Sequence, residues 1–387
     1  MENKGKTKHF TGYAIAVLLL VSFLLNLAAW CSTSFSDFYV MHVFPLWVET
    51  YGRFSGLFPI SIGELLLYMA VPLVITFVVF LGVWVGFLVV NMRKDPEERK
   101  PCPAFIRVYL GFVLLVTAIV VLLLTLNCYI LYHATPFSSR YGLTGSGRSY
   151  SAEELGILRD YVVNHANALA EEMERDEQGQ VITDTDQEQQ AVEEMKRLGE
   201  QYPILSGYYP KPKKLGLSWF FSQQYIMGYY FPFSMEANYN RGMYITNMPV
   251  TICHELSHLK GNIYEDEANF IGYLACVDSE DKLFRYSAYL SVIGYLNQDF
   301  KKAVGADSEE YKKHPAISEK VKQDRVFLTE EAWAQVEETS MLNTETVQKA
   351  SNAFLETNLT VNGVSQGIIS YSEVVQRLLE YYEGKLY

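Results

Sequence analysis

Three long apolar runs, Tyr13–Trp30, Leu65–Met92 and Val108–Tyr132, contain no Asp, Glu, Lys or Arg. Each is long enough to cross a hydrocarbon core of ~30 Å, which takes about 20 helical residues. The first third of the chain is therefore expected to be a membrane anchor. With no ionisable group inside any run, an ion relay or a channel finds no support. Beyond about Ser138 charges and amphipathic patterns return. This shift divides the chain into an anchor, 1–133, with spans at about 11–31, 64–92 and 107–132, and a second domain, 134–387.

Lys4, Lys6 and Lys8 precede the first run, and Ala28–Ala29 stand near its end, as in a cleaved signal peptide. The run exceeds the ~7–15 residues of a signal core, however, and is read as a span. Short loops rich in Lys and Arg stay in the cytoplasm. Here the N-terminus and the loop holding Arg93, Lys94, Arg99 and Lys100 are basic, while the loop after run one holds only Arg53. The expectation is a multi-pass protein of the cell membrane, with the lipid bilayer as a partner. Its N-terminus is placed in the cytoplasm and everything after about His133 outside it.

A net charge of −12 over 387 residues, with no basic patch interleaved with aromatics, excludes nucleic acid as an expected partner. The cysteines at 31, 102, 128, 253 and 276 form no CxxC pair. Cys253 and Cys276, the two in the second domain, are expected as buried thiols rather than a disulfide.

Ser138–Tyr150, with Gly142, Gly145 and Gly147, reads as a connector. Ser151 with Glu154 forms a capping box, and Leu155, Leu158, Val162 and Val163 then recur at helical spacing toward Arg175. Acids at Asp184, Asp186 and Glu188 superficially suggest a calcium loop, but its glycine and distal glutamate are missing, so a solvated loop is expected. Helices are predicted over Glu188–Leu198, Leu283–Lys302, Ala332–Met341, Thr344–Glu356 and Tyr371–Glu383. Leu217–Asn240 is dense in aromatics, from Trp219, Phe220 and Phe221 to Tyr229, Tyr230 and Phe231, and suits strands or a groove wall. The fold class is thus α+β, mainly helical with a small sheet.

The chemistry concentrates in Val250–Gly261, which contains His254-Glu-Leu-Ser-His258. On a helix, residues four apart share a face, so both histidines can turn a ring nitrogen to one ion, with Glu255 beside them to take a proton from a water. Gly261 supplies a helix stop. Two imidazoles and a carboxylate around an open tetrahedral position suit Zn²⁺. No histidine follows until His314, so the third ligand is sought in Tyr264–Ala275, which opens with Glu265, Asp266 and Glu267. Glu265 shares a helical face with Ala268, Asn269 and Gly272, small or polar residues that admit a neighbouring helix and a metal. Glu267 shares one with Phe270, Ile271 and Leu274, and is the less favoured alternative. Asn269 is expected to support the site by a hydrogen bond, and Asp266 to interact with the helix dipole.

Glu265-x-x-Ala268-Asn269 after HExxH resembles the signature of gluzincin peptidases. The resemblance implies a zincin-like domain in which the first glutamate is the third zinc ligand and the residue four later supports the site. The wider pattern is similar to a family of uncharacterised bacterial membrane proteins with three N-terminal spans and a domain of unknown function. It is carried by Gly228–Asn238, HELSHLKG, EDEANF and a tail with Asn358, Gly363 and Ser370-Tyr371. Lys260 departs from the zinc-peptidase pattern, which places an apolar residue there.

The expectation is a membrane-anchored zinc metalloendopeptidase acting on peptides or membrane proteins, with Glu255 as general base. Donors to the developing oxyanion are sought among Tyr286, Tyr289, His314 and Arg325. Glu236, Asn238 and Asn240 are candidates to line an edge strand that pairs with an extended peptide. The alternative is a membrane sensor or regulatory protein with a structural or ligand-responsive zinc site. A membrane scaffold with a degenerate motif is a third reading, and the intact Glu255 speaks against it.

Overall fold

The computed structural model describes residues 3–387 except Pro101, 144–147, Asp307, Met341 and 362–370, with only the backbone described for 3–10, 354–361 and 371–372. The connector glycines Gly145 and Gly147, and Gly363 and Ser370 of the tail, lie outside the described residues, as does the side chain of Asn358.

Each apolar run lies on a helix long and apolar enough to cross a membrane: α1 (Asn3–Cys31), α2 (Ile62–Met92) and α3 (Ala104–Leu124), the last continued through a π turn to His133. Polar side chains join them at a few points. Asn26 donates to Thr125 Oγ1 at 2.9 Å, linking α1 to α3. In α2, Thr76 takes up the Pro72 carbonyl at 2.7 Å and also meets the Tyr109 hydroxyl of α3. Among the described side chains, α1 and α2 expose many apolar residues, such as Val17, Leu20, Val71 and Val74, which suits association with a membrane.

The stretch between α1 and α2, expected as a loop, is helical from Thr33 to Ser55, alternating α turns with π turns at Tyr39–Val43 and Val48–Gly52. Its buried row recurs every four residues rather than 3.6, a spacing that the wider π turns accommodate.

The capping box at Ser151 and Glu154 opens α4 (Ala152–Glu172), whose Leu155, Leu158, Val162 and Val163 are buried. Asp186 accepts from the Gln189 amide and heads α5 (Gln187–Gln201), so the acid-rich stretch serves as a helix cap. The aromatic segment splits in two. Trp219, Phe220 and Phe221 lie on a short helix, α6 (Ser218–Gln223), and not on a strand. Its entry is held from the membrane side, because the Glu64 carboxylate at the head of α2 accepts from the amides of Gly216 and Leu217, both at 2.7 Å. Tyr229, Tyr230 and Phe231 do form a strand. The sheet comprises β1 (Lys213–Lys214), β2 (Gly228–Phe231) and β3 (Glu236–Tyr239) in the order β1-β3-β2. β1 runs parallel to β3, and β2 antiparallel to it.

The longer helices that follow are α7 (Met248–His258), α8 (Glu265–Val277), α9 (Lys282–Val304), α10 (Glu330–Thr339), α11 (Thr344–Val361) and α12 (Tyr371–Tyr382). α7 and α8 pack against each other at the centre, with β3 and α5 also on α7 and with α9 running along α4. The molecule is mainly helical with three apolar helices near the N-terminus and a small three-stranded sheet.

Candidate metal centre

α7 carries Pro249 in its first turn and is buried from Pro249 through His258. It stops near Gly261, whose φ of 82° is the left-handed conformation that glycine adopts without a side-chain clash. Along α7 the rings of His254 and His258 bring their Nε2 atoms to 3.1 Å. Each ring is fixed from behind. His258 Nδ1 lies 2.6 Å from the Asn262 carbonyl. A carbonyl only accepts, so Nδ1 carries the proton and a neutral ring offers a lone pair at Nε2. His254 Nδ1 meets Asn269 Oδ1 at 2.9 Å, with the same consequence. Two lone pairs facing each other require a proton or a cation between them.

α8 supplies a carboxylate to the same point. Glu265 Oε2 is 3.1 Å from His254 Nε2, and Oε1 is 3.9 Å from His258 Nε2. The helices approach closely because Gly272 faces α7: a Cβ there would stand 3.0 Å from the Val250 carbonyl and 3.3 Å from the His254 amide. The ligand atoms of His254, His258 and Glu265 all lie within 4.8 Å of one another. Metal–ligand bonds of ~2.0–2.2 Å around a tetrahedral ion separate neighbouring ligands by about 3.3 Å, so these three residues could hold one ion.

Burial disfavours charge on His254, but the hydrogen bond and charge of Glu265 outweigh it and raise its pKa to about 9. Burial dominates at His258, which falls to about 4. Glu265 also resists ionisation by burial, yet its pairing with His254 holds it down at about 2. Its side chain remains 48% exposed, open toward the cleft while the carboxylate reaches the rings. Burial raises Glu255 to about 8, and its Oε2 is buried without a hydrogen-bond partner. The cluster therefore holds one acid ready to ionise and one reluctant to.

A cleft of about 410 Å³ opens over these groups, lined by His254, Glu255 and Glu265 and by Met227 and Gly228 of the β2 side. A Cβ on Gly228 would overlap the Glu255 carboxylate, so only glycine lets the strand backbone come this close.

The model of a family described only as a protein of unknown function, DUF3810, matches residues 39–379. The chain belongs to the DUF3810 family. No curated protein matches it, and no solved structure does.

Several residues singled out in the DUF3810 sequence lie elsewhere. The Glu267 carboxylate points away from the histidines, bound to the Ser138 amide at 3.1 Å and hydroxyl at 2.6 Å, with Arg377 at 3.2 Å. It ties the segment after α3 to α12. Asp266 makes an ion pair with the same Arg377 rather than acting through the helix dipole alone. Glu236, Asn238 and Asn240 do not border an open edge. β3 is the central strand, all three residues are buried, and Glu236 pairs with Lys213 while Asn240 donates to Ser222 Oγ at 2.8 Å. The two-residue β1 that covers β3 is too short to leave a sequence signal, and the edge facing the cleft belongs to β2.

None of the four candidate oxyanion donors lines the cleft. Tyr286 donates to Asp324 at 2.6 Å, Tyr289 meets Tyr161, His314 meets Asp160 at 2.7 Å, and Arg325 lies against Gly294. The cleft instead presents Tyr225 and Tyr295. Tyr225 has φ 57°, a left-handed conformation that bulky residues seldom adopt and that often accompanies functional sites. No local pattern in the sequence marks either tyrosine. Lys260 follows α7 with its amine 4.0 Å over the Tyr209 ring and donating to the Ser206 and Tyr208 carbonyls at 2.8 and 2.9 Å. Burial lowers its pKa to about 8. Cys253 and Cys276 are free buried thiols with Sγ atoms 3.7 Å apart.

Proposed function

We propose that this chain is a membrane-anchored zinc metallopeptidase with a zincin-like domain. The supporting observation is the convergence of His254 Nε2, His258 Nε2 and the Glu265 carboxylate, with Glu255 beside them in an open cleft and one buried oxygen unpartnered. His254, His258 and Glu265 would hold Zn²⁺, and Asn269 and the Asn262 carbonyl keep both rings in the ligating tautomer. When bound, zinc supplies a Lewis acid that polarises a carbonyl and lowers the pKa of a water toward ~7.

Glu255 takes the proton from the attacking water and delivers it to the leaving amine. A group whose pKa burial has moved toward neutrality suits both halves of that exchange. The outer edge of β2 offers its backbone to an extended peptide, and Gly228 brings that backbone against Glu255. Because the body is joined directly to the spans, its substrates are peptides or membrane proteins close to the bilayer.

Elemental analysis of the full-length wild type, Glu255→Gln and Glu265→Gln, together with cleavage of a quenched-fluorescence peptide library, tests this reading. The expected result is one zinc per chain in wild type and Glu255→Gln, little in Glu265→Gln, and turnover in wild type alone. Loss of the general base should lower turnover by on the order of 10²–10⁴. Zinc in all three proteins with turnover in none would sink the peptidase reading in favour of a structural or sensory zinc.

A further inference from the structure

We infer that the segment linking α1 to α2, residues 33–60 and helical as far as Ser55, lies in the lipid–water interface, with one face in the body of the protein and the opposite face in the acyl-chain boundary of the bilayer. The inference rests on α1 and α2 spanning the membrane, and it is independent of any hydrolytic activity.

The segment repeats every four residues. Ser36, Val40, Phe44, Val48 and Gly52 form one row, all buried, with Val40, Phe44 and Val48 in the main core cluster. A repeat of four would drift around a regular helix of 3.6 residues per turn. The two π turns, which are wider than α turns, raise the average and keep this row facing the body along the whole segment. Two positions further on, and so on the opposite side, lie Phe38, His42, Leu46, Thr50, Phe54 and Phe58.

A helix with one face in a protein core turns polar on the other when that side meets water. Here it is mostly apolar: Phe38 is 60% exposed, Leu46 59%, Phe54 57% and the neighbouring Leu57 77%, with His42 and Thr50 as the polar members of the row and the Thr50 hydroxyl turned back onto the Leu46 carbonyl. The bilayer is the occupant because of how the segment is tethered. It continues from the last residue of α1 at Cys31 and ends one residue before α2 at Ile62, so both ends are fixed at the membrane surface. Its charged residues stay off the apolar row. Asp37 reaches Arg140 and Thr135 of the body, while Glu49 pairs with Arg53, whose guanidinium lies 4.0 Å over the Tyr208 ring. Such an arrangement, with an apolar face buried ~5–10 Å into the headgroup boundary, is that of an interfacial helix.

The segment would also set the height of the metal cluster. Val40 packs on the turn that ends α7, where a Cβ on Gly261 would stand 2.8 Å from Val40 Cγ1. Only about one helix diameter, ~10–12 Å, would then separate that turn from lipid.

The test uses the full chain in phosphatidylcholine vesicles, with Cys31, Cys102 and Cys128 replaced by serine and the buried Cys253 and Cys276 left in place. Single cysteines at Leu46, Phe54 and, as a control on exposed α4 surface, Asn164 carry an environment-sensitive fluorophore. Labels at 46 and 54 should be quenched several-fold more than the label at 164 by lipids spin-labelled high on the acyl chain, and several-fold less by aqueous iodide. Quenching at 46 and 54 by iodide to the extent seen at 164 would overturn the inference by placing this face in water. Protection from both quenchers would overturn it too, by showing that a second protein copy covers the face.

Discussion

Lys213 and Glu236 are buried as deeply as Glu255 and His258, yet the two clusters are built in opposite ways. The Lys213 amine spends its donors on the Ser55 carbonyl at 2.7 Å, the Ile60 carbonyl at 3.0 Å and Glu236 itself. Glu236 also accepts the Gly63 amide at 2.7 Å and the Ile62 amide at 3.2 Å, at the helix N-terminus of α2 where an anion is favoured. Every charge there is met by protein. In the cluster of His254, His258, Glu265 and Glu255, two imidazole nitrogens face each other and a Glu255 oxygen has no partner. Desolvated groups are costly unless paired, so the closed cluster acts as a joint between membrane helix and sheet, and the open one is suited to receiving a ligand.

The sharpest way to break this comparison is to open the closed cluster. Lys213→Met leaves Glu236 buried and unpaired and should destabilise the body by ~3–5 kcal/mol, read from denaturant unfolding of the purified chain. Adding Glu236→Leu should restore only part of that, because the Ile62 and Gly63 amides then lose their acceptor. Full recovery, or no loss in the single variant, would mean the cluster is not a joint.

At the open cluster, Asn269→Ala removes the partner of His254 Nδ1 and should weaken zinc binding by about 10–100-fold in competition with a chelating dye. An unchanged affinity would show that the ring needs no such orientation.

Proton linkage separates the clusters further. With the His254 pKa raised from 6.5 to about 9, the metal-free protein draws stability from the charged ring below pH 6.5 and loses it as pH rises through 9. Metal binds the neutral ring, so zinc affinity should rise with pH over this window and level off above it, with about one proton released per zinc at pH 7 by calorimetry in buffers of different ionisation enthalpy. Thermal stability should therefore shift with pH in opposite directions for metal-free and zinc-loaded protein. Parallel shifts would contradict the His254–Glu265 pairing.

The smallest expected effect tests a link outside both clusters. Ser138→Ala removes the hydroxyl that donates to Glu267 and accepts from Arg377, but leaves the Glu267 contacts to the Ser138 amide and to Arg377, and should cost about 1–2 kcal/mol without changing zinc content.

The sequence by itself determined what depends on neighbours along the chain. Unbroken apolar length marked the three helices long and apolar enough to cross a membrane, the Ser151–Glu154 pair set the start of α4, and helical spacing put His254 on the same face as His258 and Glu265 on the side of α8 where Gly272 meets α7. Tertiary structure decided what depends on distant partners. Glu236 reads as a groove residue until Gly63, 173 positions away, takes its carboxylate, and Glu267 reads as the less favoured alternative for the third ligand until Ser138 does the same. Tyr286 and His314 looked available for catalysis until Asp324 and Asp160 claimed them, while Tyr225, Tyr295 and Gly228 entered the cleft with no local signature. The physical reason is range: helical periodicity and capping act over one turn, whereas the direction of a buried polar side chain is set by whichever partner the folded chain brings within hydrogen-bonding distance.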